Sequence, residues 1–416
     1  MADAELKAAT ALALLNIPAK YFTGGFFNKL NPNIIKMKHV ASSIILLCLC
    51  TNAQLVKANL SVKRETKLKL AMAAPELPTP AAILNYMKKV ADWQLANPTG
   101  KPLNVWEYGP FYHGIMKLYH ISNDKKYYKA VIDMGNKVNW ETVPRPYDAN
   151  SLAIVPAFAD LYEIAKDIKM LDKSRFVMDM PLARSLTPEV TFSGNKYWYE
   201  WWTWCDALYM APPAYARLAV LLNKPEYMDH MVQNWWLTSD HLYNKEDSLF
   251  TRDDSFFKQR TVNGKKIFWS RGNGWVIGGL CDVMTSMPKD DPRRKKFEAQ
   301  FIQMCNKLAK LQMPNGCWSQ SLIDPLSYPQ KETSGTAFFC YGFAWGINNG
   351  LLPKEQFLPV LQKAWKSLTE SIGPDGKFGN VQKVGNRPDD VKDGDTESYG
   401  SGAFLLAGSE FYKLLK

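Results

Sequence analysis

The sequence predicts an all-α fold, an (α/α)6 toroid of six helical hairpins, on three observations. From about residue 80 to Lys416, apolar residues recur at helical spacing without the sustained alternation of a half-buried strand. The helical segments are joined by loops rich in Gly, Pro and Asn. A unit made of a polar or glycine-rich opening and an apolar helix with small residues in its first turns occurs six times.

In chain order the openings are Trp106-Glu107-Tyr108-Gly109, Asp148-Ala149-Asn150-Ser151, Trp204-Cys205-Asp206-Ala207, Arg271-Gly272-Asn273-Gly274, Glu332-Thr333-Ser334-Gly335 and Glu397-Ser398-Tyr399-Gly400. Several continue into a second segment of shared character, such as Asn123-Asp124-Lys125-Lys126-Tyr127-Tyr128 and Asn223-Lys224-Pro225-Glu226-Tyr227. Intervals of roughly 40 to 70 residues leave room for two helices and a loop in each unit. Small residues belong on inner helices, which crowd the axis. An open solenoid has the same helix pairs but more uniform repeats and a capped terminus, so the uneven loops favour the closed ring.

Ahead of the repeat, Met37 to Gln54 reads MKHVASSIILLCLCTNAQ, with a basic start, an apolar run and small residues before Ala53. This is the layout of a secretory signal peptide, and the run is too short to span a bilayer. The expected organisation is therefore a leader upstream of the true start over 1–36, a signal peptide over 37–53, a linker over 54–79 and the catalytic domain over 80–416. The expected location is secreted or periplasmic. Beyond Cys48 and Cys50, the five cysteines Cys205, Cys281, Cys305, Cys317 and Cys340 are an odd number inside apolar helical patterns, which predicts buried free thiols.

A net charge of +11 points to an anionic partner. Its densest basic run, Arg293-Arg294-Lys295-Lys296, reads as a solvated helix start, which argues against nucleic acid. Neither the cysteines nor the five histidines have metal-site spacing, so no metal and no organic cofactor are expected. The 14 Trp and 19 Tyr exceed what packing alone usually demands, and aromatic faces that stack on sugar rings are one use for the surplus.

If the inner helices all start at one end, their openings face one cavity. Two openings carry an aspartate in the equivalent place, Asp148 and Asp206. An aspartate at a helix start is ordinarily an N-cap. Asp206 differs because Trp201, Trp202 and Trp204 precede it, and aromatic walls raise a carboxyl pKa toward that of a useful proton donor. Like-charge repulsion from Asp148 is expected to add to this. Arg271, between Trp269 and Trp275, has the makings of a carboxylate or hydroxyl clamp.

The stretch Trp204-Cys205-Asp206-Ala207-Leu208-Tyr209-Met210-Ala211-Pro212-Pro213 resembles glycoside hydrolase family 105, the unsaturated rhamnogalacturonyl hydrolases. So do Trp269 to Trp275, Glu332-Thr333-Ser334-Gly335-Thr336-Ala337 and Tyr399-Gly400-Ser401-Gly402-Ala403-Phe404. The related family 88, the unsaturated glucuronyl hydrolases, shares the fold and the paired aspartates. The resemblance implies the (α/α)6 barrel and action on unsaturated uronic-acid oligosaccharides; a monomeric or weakly associating enzyme is expected. It assigns Asp206 as acid and base, Asp148 as auxiliary carboxylate, Trp204, Met210, Trp269 and Arg271 to the unsaturated sugar subsite, and Tyr108 to its closure. Unsaturated galacturonyl groups on rhamnogalacturonan are the implied substrate. Unsaturated glucuronyl groups are the alternative, then a conventional inverting glycosidase, and a non-catalytic helical-repeat glycan-binding protein from another class. Two departures stand out. Many members have a histidine where this chain reads Phe250-Thr251-Arg252-Asp253-Asp254-Ser255, and another is missing near Lys196-Tyr197-Trp198.

Overall fold

The structure is a computed structural model that describes residues 76–184 and 188–416; the expected leader, signal peptide and most of the linker lie outside the described residues. The chain enters on α1 (Pro80–Ala96), and then α2 (Gly109–Ser122), α3 (Lys125–Lys137), α4 (Val155–Ala165) and α5 (Lys169–Leu182) follow. A broken helix, α6 (Ala207–Met210) and α7 (Pro212–Leu221), precedes α8 (Pro225–Leu242). The remainder is α9 (Ser270–Ser286), α10 (Arg294–Lys310), α11 (Thr333–Asn348), α12 (Lys354–Glu370) and α13 (Ser398–Leu415). One antiparallel ribbon, β1 (Tyr243–Asn244) on β2 (Leu249–Phe250), lies between α8 and α9.

Helices α2, α4, α7, α9, α11 and α13 pack each on the next, and α13 returns to α2, so the inner ring is closed. Around it, α3, α5, α8, α10 and α12 each pack on the inner helix that precedes them in the chain. This is the (α/α)6 toroid. Its sixth hairpin differs from the other five: the outer partner of α13 is α1, so the two ends of the domain close the ring together. Burial follows position. Every residue of α11 from Thr333 to Gly346 and of α13 from Ser398 to Phe411 is buried. Outer α12 instead buries one stripe, Phe357, Leu361, Ala364, Trp365 and Leu368, at the spacing of an amphipathic helix. No helix among the described residues is long and apolar enough to cross a membrane. Cys205, Cys281, Cys305, Cys317 and Cys340 are buried free thiols.

Small residues on the inner helices let backbones touch. A Cβ on Gly402 of α13 would fall 2.4 Å from the backbone of Pro110 and Phe111 at the start of α2, the seam where the ring closes. Backbone cannot swing aside as a side chain can, so Gly402→Ala is expected to destabilise the fold by about 1–3 kcal/mol. Denaturant unfolding measures it, and a change within a few tenths of a kcal/mol of wild type would contradict so tight a seam.

Between the inner helices lies a buried polar cluster. His113 of α2 sits 3.6 Å from both Asp160 of α4 and Asp282 of α9. Burial, helped by Lys117, lowers the His113 pKa to about 3 and keeps the ring neutral, so these contacts are not ion pairs. Burial also pushes Asp282 up to about 6, against the hydrogen bond from Tyr341. An acid whose folded pKa is raised contributes stability present below its ordinary pKa and lost as pH rises through the folded value. Asp282→Asn keeps an acceptor for Tyr341 and removes that loss. Its melting temperature is expected to exceed wild type at pH 8 by more than at pH 5; thermal melts at the two pH values decide.

Candidate active site

Five of the residues singled out in the sequence, Trp204, Asp206, Met210, Trp269 and Arg271, line one cavity of about 160 Å³ at the N-terminal ends of the inner helices. Trp106, Asn150, Arg252, Trp275 and the loop residues Val384 and Gly385 complete its wall. The six openings therefore do face one end, but not all of them contribute. Glu332 is fully buried and caps α11 through the amides of Ser334 and Gly335, at 2.9 and 2.8 Å.

The two aspartates separate. Asp148 is the N-cap: its carboxylate accepts from the amide of Asn150 at 3.0 Å and pairs with Arg145 at 3.2 Å. It lines a different pocket, with Tyr147, Arg184, Trp201 and Trp202. Asp206 starts α6 but caps nothing with its side chain. Burial raises its pKa, opposed first by Arg252 and then by Arg271. The expected repulsion from Asp148 is not among the main causes; desolvation dominates. Its carboxylate accepts a long hydrogen bond from the Cys205 thiol, at 3.5 Å, and caps no helix amide. A buried carboxyl that lacks structural bonds and faces a cavity is free to exchange a proton with whatever binds there.

Tyr108 does not close the subsite. It is buried in the core beside Phe111 and Tyr112, and its hydroxyl accepts from the Thr99 amide at 2.7 Å. Two residues earlier, Trp106 takes the wall instead, stacked on Tyr399 at 5.5 Å and edge-on to Trp275 at 6.1 Å. The short helical turn between them, Trp106–Tyr108, points one ring to the cavity and the other to the core.

Arg271 is a strut rather than an open clamp. Its terminal nitrogens donate to the carbonyls of Gln382, at 2.8 Å, and Lys383, at 2.9 Å, while the guanidinium lies over Trp269 and Tyr399. Trp269 also donates to the Gln382 side chain at 2.8 Å. Together they fasten the loop that carries Val384 and Gly385. Gln382 had no local signal, being one polar residue in a loop.

Arg252 was noted in the sequence only as a departure. The ribbon delivers it: Asn273 bonds both ways with Phe250, at 2.8 and 3.0 Å, and the Arg252 carbonyl accepts from the Cys205 amide at 2.8 Å. Its Nε lies 3.8 Å from the Asp206 carboxylate. Among the described residues no group of three or more His, Cys, Asp or Glu could hold a metal ion.

Comparison with known proteins follows the same lines. The family model described as Glycosyl Hydrolase Family 88 matches residues 84–415. A curated protein from Formosa agariphila, named unsaturated 3S-rhamnoglycuronyl hydrolase, is 36% identical over 79% of this chain and 90% of its own length. One of the same name from an Alteromonas species is 32% identical over 78% and 84%. The solved structure titled glycosyl hydrolase family 88 from Bacteroides vulgatus has 30% identity and a TM-score of 0.74, covering 81% of this chain and all of that one. A family 105 glycoside hydrolase of C. acetobutylicum shares the fold, with a TM-score of 0.65 at 23% identity over 79% of this chain and 99% of its own.

Proposed function

This chain belongs to glycosyl hydrolase family 88, and from that membership we propose that it is an unsaturated uronyl hydrolase whose acid and base is Asp206. The observation that carries the assignment is the buried, bond-poor Asp206 carboxyl in an aromatic-walled cavity, flanked by two arginines.

The substrate is an oligosaccharide end left by eliminative cleavage, with a C4=C5 double bond in its terminal uronic acid. That bond is an enol ether conjugated to a carboxylate. Protonated Asp206 gives its proton to C4, and positive charge develops at C5, shared with the ring oxygen. Water adds at C5 while the Asp206 carboxylate takes its proton, which restores the acid. The hemiketal opens and the aglycone leaves from C1. One carboxyl serves twice, so the paired carboxylates of an ordinary glycosidase are not required. Asp148, in its own pocket, supports the start of the short helix that packs on α6.

Elimination makes C4 trigonal, so galacturonic and glucuronic acids give the same unsaturated ring. The choice between galacturonyl and glucuronyl substrates is therefore one of anomeric linkage and aglycone. Both curated relatives carry rhamnose in their names, which supports an unsaturated uronyl group linked to rhamnose. A non-catalytic glycan-binding protein is disfavoured because it has no use for a desolvated carboxyl without structural bonds. Export through residues 37–53 belongs to the same proposal, and N-terminal sequencing of mature protein tests it.

The test is loss of the ultraviolet absorbance of the conjugated double bond, with unsaturated uronyl-rhamnose disaccharides of either anomeric linkage. Consumption of either supports the reaction, and the faster one names the linkage. If neither is consumed while other unsaturated uronyl substrates are, the aglycone is wrong; if no unsaturated substrate is consumed, the function is.

A further inference from the structure

We propose that Arg252 is the specificity-determining residue of this site, the group that receives the C5 carboxylate of the unsaturated uronyl ring; the proposal rests on the function given above. The cavity has two arginines, and their bonding tells them apart. Arg271 has spent both terminal nitrogens on the Gln382 and Lys383 carbonyls. Arg252 has spent one, on Asp253 at 2.6 Å. Its buried Nε has no hydrogen-bond partner. The edge formed by Nε and the other terminal nitrogen is the side of a guanidinium that matches a carboxylate in two parallel bonds.

The side chain is held ready. Its guanidinium lies over the Phe192 ring at 4.7 Å, its Asp253 contact fixes the far end, and only 12% of it is exposed. Little conformational freedom remains to be lost on binding.

Position selects the carboxylate over other anions. Asp206 must reach C4, and the carboxylate stands on C5, the adjacent ring atom. A cation 3.8 Å from the acid is therefore placed for that group. The aglycone hangs from C1, across the ring, so an anionic substituent such as a sulfate ester on it falls on the other side. Arg252 is a permanent cation with a flat two-donor edge, which suits it to a carboxylate.

The experiment pairs Arg252→Gln and Arg252→Lys with two substrates, an unsaturated uronyl-rhamnose disaccharide and its C6 carboxamide, each with and without a sulfate on the aglycone. Intrinsic differences in reactivity cancel in such a cycle. With the carboxylate substrate, Arg252→Gln is expected to raise KM by about 10- to 100-fold, and Arg252→Lys to recover part of the loss. With the carboxamide, the loss on Arg252→Gln is expected to be at least about tenfold smaller, what remains being the effect on Asp206 of removing a cation 3.8 Å away. Equal losses on both substrates would reduce Arg252 to a structural part, and a loss that tracks the sulfate would assign it to the aglycone; either result overturns the proposal. Melting curves separate misfolding from lost recognition, and the carboxamide serves as an internal control for the folded site. If wild type consumes none of these substrates or any other unsaturated uronyl compound, the function fails first and this inference with it.

Discussion

Asp206→Asn is expected to lower kcat on an unsaturated uronyl substrate by about 10²–10⁴-fold, the usual worth of a positioned acid and base. The fold should hardly notice. The side chain caps no helix, its bond from the Cys205 thiol is long and its ion pair with Arg252 is at 3.8 Å, so asparagine fills the same space at little structural cost. Removing a buried carboxyl that burial pushes up costs no stability on electrostatic grounds. Single-turnover kinetics alongside a melting curve make the comparison, and a loss of activity that came with a collapsed melting temperature would mean that Asp206 is structural after all. The pH profile carries the same information. Asp206 must hold its proton to begin, so the wild-type rate is expected to fall as pH rises through its raised pKa.

Arg271→Ala is expected to have the largest effect on stability. Two hydrogen bonds from a buried cation to backbone carbonyls disappear, and at about 1.5–3 kcal/mol each the loss is about 3–6 kcal/mol. The loop carrying Val384 and Gly385 loses its anchor, so KM should rise as well. Arg271→Lys should rescue little, because an ammonium cannot reach two carbonyls from a plane stacked between Trp269 and Tyr399. Denaturant unfolding and steady-state kinetics on the same preparations test both claims, and full rescue by lysine would show that charge alone matters.

Much of the site was legible because it is local. The tryptophans before Asp206 and the glycines after Arg271 stand within a few residues of the chemistry they shape, and Trp204, Met210 and Trp269 all reach the cavity. Tyr108 was misjudged because a residue at a helix opening turns one of two ways, and the short turn over Trp106–Tyr108 gives the cavity to Trp106. Asp148 and Asp206 looked equivalent because both precede a helix. Only their hydrogen bonds distinguish the cap from the free acid.

By itself the sequence determined the helices and the six openings and singled out Asp206 as a candidate, since periodicity, small residues and aromatic neighbours act within a turn or two of the chain. Only the tertiary structure decided how the ring closes, with α1 serving as the outer helix of α13. Only it could bring Arg252 to Asp206 across 46 residues and set Arg271 beneath the loop at 382–383, 111 residues away. Those contacts depend on the rotation of each helix and the path of each loop, which are set when the whole apolar interior packs at once. No short stretch of sequence specifies them.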